Sequence, residues 1–349
     1  MSYARIASPG ALASLQDEGR FGWRHLGVPW SGALDPQQMH LANALVGNPR
    51  GTPVIECFEG GLKLIAEGAG LRVAVAGSAR LVISGPEGSR AAASWQAIDL
   101  APDESLGVLA CDGDQRCVCV AVFGLSVPLV LGSASTYARA GLGGIAGRTL
   151  AAGDRLSAAP TPPSPGLVLP YPPAADEGAI RILPGPQADH FDADALSTLL
   201  GTTYTVGAES DRMGLRLTGP ALTHRDTASR EILSDATVPG NIQVPGNGLP
   251  IVLLADAQTA GGYPKIATVI SADLPRLATC RPGARLRFAA VDRAAAEQAA
   301  RDRAAALDVL LASLAPRPID GSIDPAALLG ANLAGEAVNA FDPTDWSPP

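Results

Sequence analysis

Residues 243–288 hold the part of the chain best furnished for chemistry, and their centre reads Asp256-Ala257-Gln258-Thr259-Ala260-Gly261-Gly262-Tyr263-Pro264-Lys265. An acid, an amide, a hydroxyl, a phenol and an ammonium fall there between two apolar runs, residues 251–255 and 266–270, which read as buried strands. Polar groups at the rim of a core are costly unless paired or used, and the two glycines let a ligand approach the backbone. Of 26 Lys and Arg side chains only Lys63 and Lys265 are lysines, so a lysine kept here argues for a compact, titratable ammonium. A tight hairpin carrying one solvated lysine has the same composition, and the residues alone leave both readings open.

Three other stretches carry groups of interest. In Glu209-Ser210-Asp211-Arg212-Met213-Gly214, Arg212 beside Ser210 could clamp a carboxylate or phosphate through two parallel bonds, or simply pair with Asp211 in a turn. Leu131-Gly132-Ser133-Ala134-Ser135-Thr136-Tyr137-Ala138-Arg139 leads into a glycine-rich run, residues 141–148. That combination suits an anion or an amide and equally suits ordinary strand-and-turn chemistry; no Gly-Lys-Ser/Thr follows, so it is not a P-loop. Gln16-Asp17-Glu18-Gly19-Arg20-Phe21-Gly22-Trp23 reads as an exposed loop of fixed shape. The histidines, His25, His40, His190 and His224, have no ligand spacing, and five cysteines in a chain this long suggest neither a disulfide framework nor a zinc site.

The elements that must position these groups are mostly strands. Residues 54–157 alternate short apolar runs with Gly, Pro, Asp and Ser, the spacing of a closed or sandwich-like β domain. Asp35-Pro36-Gln37-Gln38 starts a helix that ends at Gly47, with Asp35 as N-cap. Seven prolines in residues 158–175 suggest a stiff, extended linker. A helix-like piece is expected over residues 191–200, strands over 204–206 and 215–217, a helix over 291–315, and a peripheral tail beyond. The expected organisation is therefore a first β domain over 1–157, a linker over 158–178, a second β domain over 179–290, and a helix with tail over 291–349. Gly153-Asp154-Arg155-Leu156 and Gly283-Ala284-Arg285-Leu286 form a faint internal echo.

Composition limits the partners. A net charge of −8 and a pI near 5.0 argue against nucleic acid. No long apolar block precedes Asp17 and Glu18, and the longest uncharged run, residues 117–137, is broken by Gly124, Ser126, Pro128 and Gly132. Neither a signal peptide nor a membrane span is expected, and the cytoplasm is the expected compartment.

Residues 258–277, Gln-Thr-Ala-Gly-Gly-Tyr-Pro-Lys-Ile-Ala-Thr-Val-Ile-Ser-Ala-Asp-Leu-Pro-Arg-Leu, resemble the signature of the 5-oxoprolinase C-subunit family, which also takes in the carboxyltransferase part of urea amidolyase and the Kip-type regulators. The resemblance extends to residues 16–20, 27–35, 45–49, Glu56, 131–137, 153–156, 210–214 and 242–245. It implies a mainly β protein: two tandem cyclophilin-like β-barrels with a few short helices and a C-terminal helix, and a site in the groove between or across them. It implies a component of an ATP-dependent lactam hydrolase that opens 5-oxoproline to glutamate, inactive alone and working with A-like and B-like subunits. ATP with Mg²⁺ would be bound by this chain or shared with those partners. On this footing Lys265 and Asp256 are catalytic. Arg20, Ser133, Thr136, Tyr137, Ser210, Arg212, Gln243, Gln258, Thr259, Gly261, Gly262 and Tyr263 bind substrate, and no metal is held. The alternatives are a biotin-dependent, urea-type carboxyltransferase, the only reading that calls for biotin, and a Kip-type regulator without turnover. Ala134 and Ala257 stand where the resemblance leads one to expect arginine.

Overall fold

In the computed structural model, residues 2–174 and 177–317 are described. Strands dominate, as the turn-rich composition suggests. The first half holds a six-stranded sheet, ordered Arg155–Ala158, Ser2–Pro9, Leu62–Glu67, Ser105–Cys111, Ala79–Gly85 and Gly88–Ala92. A five-stranded sheet, ordered Leu12–Gln16, Val54–Phe58, Cys117–Val122, Leu71–Ala76 and Ala97–Leu100, shares one core with it. The strand Cys117–Val122 is buried throughout because both its faces are covered. Val118, Val120 and Val122 point into the core between the sheets, while Cys119 and Ala121 pack under a helix.

That helix, α1 (Pro36–Val46), has the expected start. The Asp35 carboxylate accepts from the backbone N–H of Gln37 at 3.0 Å and of Gln38 at 3.4 Å, and Pro36 takes the first helical position. Met39, Leu41, Ala42, Leu45 and Val46 form its buried face.

The second half is built on one eight-stranded sheet, ordered Arg285–Leu286, Tyr204–Val206, Gly214–Thr218, Ile251–Leu253, Asn241–Gln243, Lys265–Val269, Ile180–Pro184 and Phe288–Ala290. Its first and last strands are consecutive in the chain, and Arg287, the residue that joins them, accepts from Ile180 N–H of the seventh strand at 2.7 Å. The sheet therefore wraps almost shut into a barrel, which removes exposed edges. Short helices α2 (Ala195–Gly201) and α3 (Leu274–Ala278) cover it; α2 lies near the expected place, whereas α3 had no clear sequence signal.

The internal echo has a structural counterpart. Residues 151–154 and 281–284 each form a turn with glycine third, Gly153 at φ 94° and Gly283 at φ 88°, a backbone only glycine adopts freely. Gly153 N–H bonds to Ile6 O at 2.8 Å and Ile6 N–H to Asp154 O at 2.8 Å. In the second half, Gly283 N–H bonds to Val206 O at 2.8 Å and Val206 N–H to Ala284 O at 2.9 Å.

The proline-rich stretch is more than a spacer. Leu167–Val168 pairs with Ala315–Pro316, and Leu169 is buried with its N–H on Trp95 O at 2.8 Å. Helix α4 (Arg293–Ala312), capped by Asp292, packs Ala296 and Ala299 against Ile270 and Ala272 of the second half, and Leu307 against the α1 core of the first. The tail expected beyond residue 317 lies outside the described residues. No helix among the described residues is long and apolar enough to cross a membrane.

Asp35 serves two elements, since Arg303 of α4 also bonds to its Oδ1 at 3.3 Å. Replacing it by alanine removes a cap and a strap together, and Asp35→Ala should lose about 1–2 kcal/mol. Chemical denaturation of the two proteins is the measurement, with a lowered midpoint and unchanged slope as the expected result.

Candidate functional site

The strands flanking the signature loop, Ile251–Leu253 and Lys265–Val269, are not neighbours: Asn241–Gln243 lies between them and pairs with both. The loop is therefore a crossover passing the end of a strand, and the hairpin reading fails. A bulge follows, because Ile242 faces Ala267 while Gln243 faces Lys265, with Ile266 left over. The extra residue aims Lys265 beside Gln243.

Lys265 is 2% exposed, so it is no solvated lysine. Its Nζ donates to Asp235 Oδ2 at 2.6 Å and to Ala236 O at 2.8 Å. An ammonium has three N–H groups, and among the described residues two have partners. The strand Asp235–Ala236 pairs with Ala260–Gly261 to form a small flap over the ammonium. Asp235 is half exposed, and the hydrogen bond from Lys265 holds its carboxyl below the usual carboxylate range. Gln187 closes the arrangement, accepting from Lys265 N–H at 3.1 Å and donating to Asp235 Oδ2 at 3.2 Å.

Amides line the approach. Gln258 Nε2 donates to Gln243 Oε1 at 3.1 Å, and Gln243 Nε2 to Tyr263 O at 3.4 Å. A Cβ on Gly261 would lie 2.6 Å from Gln243 Nε2, so any other residue there would push that amide aside. Thr259 contributes its carbonyl to Thr237 N–H at 3.1 Å, Gly262 its carbonyl to Ile232 N–H at 2.8 Å, and Tyr263 is 42% exposed at the mouth. Arg24 reaches the same flap. Its Nη2 bonds to Thr237 O, its guanidinium lies 4.8 Å from the Trp30 ring centre, and its buried Nη1 has no partner among the described residues. Burial lowers the Arg24 pKa from its ordinary value.

Other expected site residues are committed elsewhere. Arg212 donates to Asp256 through Nε at 2.9 Å and Nη2 at 3.2 Å, to Gly32 O at 2.7 Å, and to Glu56 Oε1. Four of its five donors are used, so it is no open clamp, and both oxygens of Asp256, the acid expected to be catalytic, accept from this guanidinium. Ser210 is likewise inward: its Oγ accepts from Arg216 N–H at 3.1 Å. Burial would lower the Arg212 pKa, but the Asp256 and Glu56 carboxylates outweigh it and hold the guanidinium charged. Burial pushes the Glu56 carboxyl up, against the pull of Arg212.

Arg20, far from exposed, is fully buried and donates to the carbonyls of Val130 at 2.9 Å, Ser133 at 3.4 Å and Ser135 at 2.8 Å. The 131–139 loop is not an empty anion cradle, because Asp17 already fills it. Its Oδ1 accepts from Ser133 Oγ at 2.6 Å and Ser135 Oγ at 2.5 Å, and its Oδ2 from Ala134 N–H at 2.6 Å. Tyr137 pairs through its backbone with Leu142, while the buried Thr136 hydroxyl has no partner among the described residues. Ala134 and Ala257 are both buried, at 0% and 2% exposed.

Sequence reasoning found the Lys265, Gln258 and Gln243 group and missed Asp235, Gln187 and Arg24. These come from 30, 78 and 241 residues away in the chain, counted from Lys265, and only the flap brings them together.

Two stability measurements follow. Breaking the buried triad with Arg212→Met strands two carboxylates and should cost about 3–5 kcal/mol, read by denaturant unfolding. The depressed Asp235 carboxyl contributes stability that is fully present above the ordinary carboxylate value near ~4 and lost as pH falls through its lower folded value. The Tm gap between wild type and Asp235→Asn should therefore be open at neutral pH and close in acid; a gap independent of pH would contradict the pairing.

Comparison with known proteins places this geometry. The sequence pattern of the carboxyltransferase domain, subdomain A and B, matches residues 26–290. The chain is 35% identical over 287 residues to the C subunit of Escherichia coli 5-oxoprolinase, covering 81% of this chain and 90% of that protein. It is 37% identical over 281 residues to the protein of the same name from Haemophilus influenzae, covering 80% and 88%. Among solved structures, Kluyveromyces lactis urea carboxylase superposes with a TM-score of 0.80 at 25% identity, over 93% of this chain and 30% of that one. The K. lactis urea amidolyase gives the same score over 88% of this chain and 20% of its own length, so this chain spans only a part of these larger proteins. The chain belongs to the family of carboxyltransferase domains of the subdomain A and B type.

Proposed function

We propose that the chain is the C subunit of an ATP-dependent 5-oxoprolinase and takes part in opening 5-oxoproline to glutamate. The observation that carries this reading is the Lys265 ammonium, buried under an acidic flap and flanked by the Gln243 and Gln258 amides. It is supported by 35% and 37% identity to proteins named as C subunits of 5-oxoprolinase, along nearly their whole length.

A five-membered lactam is a poor electrophile. Transfer of the terminal phosphoryl group of ATP to the carbonyl oxygen makes the ring carbon attackable by water. The C–N bond then breaks and the nitrogen takes up a proton, which leaves an acyl phosphate of glutamate; a second water hydrolyses it to phosphate and glutamate, with ADP as the other product. ATP enters with Mg²⁺ as co-substrate, and A-like and B-like subunits complete the reaction. Within this chain, the substrate carboxylate or the phosphoryl group takes the place of Asp235 on Lys265, one anion exchanged for another. Gln258 and Gln243 hold the lactam amide, with the Tyr263 hydroxyl at the mouth. Arg24 Nη1 supplies a second donor beside the flap. A fixed ammonium aimed at developing negative charge in a water-poor site is worth roughly 10²–10³ in rate.

A urea-type carboxyltransferase ranks second. The same amide donors suit a urea-like acceptor, and the fold is shared with the urea carboxylase structure. The relatives with urea in their names are 27% identical, below the oxoprolinase relatives.

The test is glutamate release coupled to ATP hydrolysis in the complex reconstituted with both partner subunits. Lys265→Met should fall by about 10²-fold or more with unchanged assembly. Activity within twofold of wild type would remove Lys265 from the site.

A further inference from the structure

Lys265 lies between two glutamines, and only Gln243 belongs to the site expected from the sequence. The strand Lys265–Val269 is flanked in the sheet by Asn241–Gln243 on one side and Ile180–Pro184 on the other. Gln243 ends the first of these neighbours, and Gln187 sits three residues past the end of the second. The run Pro184-Gly185-Pro186 between them brings Gln187 against Lys265. Gly185 N–H bonds to Ile266 O at 2.7 Å, and a Cβ on Gly185 would stand 2.2 Å from Lys265 O. That oxygen is backbone and cannot give way, so the close approach requires glycine. The prolines fix φ on either side of it.

The Gln187 amide has its orientation set for it. Lys265 N–H is a donor 3.1 Å from Oε1, so the amide nitrogen must face away from the strand. There Nε2 donates to Asp235 Oδ2 at 3.2 Å, the same oxygen that accepts from Lys265 Nζ at 2.6 Å. An ammonium and an amide thus converge on one carboxylate oxygen. Oδ1 accepts from Ala236 N–H at 2.8 Å, inside the flap itself. Among the described residues, the Lys265 and Gln187 donors are the barrel's whole hold on this carboxylate. Gln187 is partly exposed and Asp235 half exposed, so the carboxylate can swing outward without unpacking the core.

We infer that Gln187 is a second binding residue for the substrate carboxylate, donating from Nε2 beside Lys265 Nζ to the oxygen position that Asp235 Oδ2 holds in this structure. The inference rests on the function proposed above and narrows it: of the two anions named there, the carboxylate is the one that Lys265 takes. Charge decides between them. One ammonium and one neutral amide balance the single charge of a carboxylate, as they do for Asp235. A phosphoryl group on oxygen carries about 1.5–2 negative charges near neutral pH, and the surplus would face the displaced Asp235. Two anions that close disfavour each other. Arg24, held on Thr237 O, makes no ion pair with Asp235 among the described residues, so it adds no second charge at that position. Both parts of the substrate are then recognised, the carboxylate by Lys265 and Gln187, the ring amide by Gln243 and Gln258 across the strand pair.

The test is steady-state kinetics of the complex reconstituted with both partner subunits, with 5-oxoproline and ATP varied separately. Gln187→Glu keeps the acceptor for Lys265 N–H, and with it the local fold, but puts a negative charge where the donor was. KM for 5-oxoproline should rise at least about tenfold, with kcat and the KM for ATP within about threefold of wild type. Gln187→Met, similar in length and uncharged, should raise the same KM about fivefold or more, and it decides if Gln187→Glu does not fold. Asp235→Asn removes the competing charge. It should lower KM for 5-oxoproline at least about threefold while lowering Tm at neutral pH, opposite effects that damage to the fold would not give. A KM for 5-oxoproline within about twofold of wild type in both Gln187 variants would overturn the inference. So would a loss confined to kcat or to the KM for ATP, which would assign the position to the phosphoryl group. An unchanged or raised KM in Asp235→Asn would overturn the exchange of one carboxylate for another. Lys265→Met separates the two levels: if it is inactive while the Gln187 variants behave as wild type, only this inference fails. If it is fully active, the ammonium site itself fails.

Discussion

The structure depends on one guanidinium. Arg212 of the second half is locked between Asp256, from the same half, and Glu56, from a strand of the first, and it also holds the Gly32 carbonyl. A charge buried to this degree is tolerable only if its partners stay in place. The triad therefore fixes how the two halves meet. Leu34 N–H on Glu56 Oε2 at 2.8 Å and Ala33 N–H on Asp17 O at 3.0 Å tie the 30–35 segment into the same knot.

That constraint explains a division of labour among the polar residues. The acids and arginines that look most reactive in the sequence, Asp256, Arg212, Asp17 and Arg20, are buried fasteners. The Lys265 ammonium differs from them, since its counter-ion sits on a two-strand flap with Asp235 half exposed. The function proposed above uses this ion pair at the edge of the frame and leaves the buried triad untouched.

The same frame creates an apolar hollow between the halves. Because the 30–35 segment must reach the triad, Ser31 is held at positive φ and Trp30 and Leu34 are left facing the second half. Helix α4 then spans both halves, packing on Ile270 and Ala272 at one end and on the α1 core at the other, and its alanines leave room beneath it.

Local rules were legible in the sequence. The Asp35-Pro36 helix start, the echo between residues 153–156 and 283–286, and the β-rich character all follow from spacing and residue type, because each depends on neighbours a few residues away. The signature loop was visible too, and so was the oddity of Lys265 in a chain rich in arginine. Tertiary structure decided what those groups do. Whether Arg212 clamps a ligand or a neighbour depends on Glu56, 156 residues earlier. Whether Lys265 is solvated depends on Asp235 and a bulge. Charges act through space, so a sequence names the ions but only the fold chooses their partners.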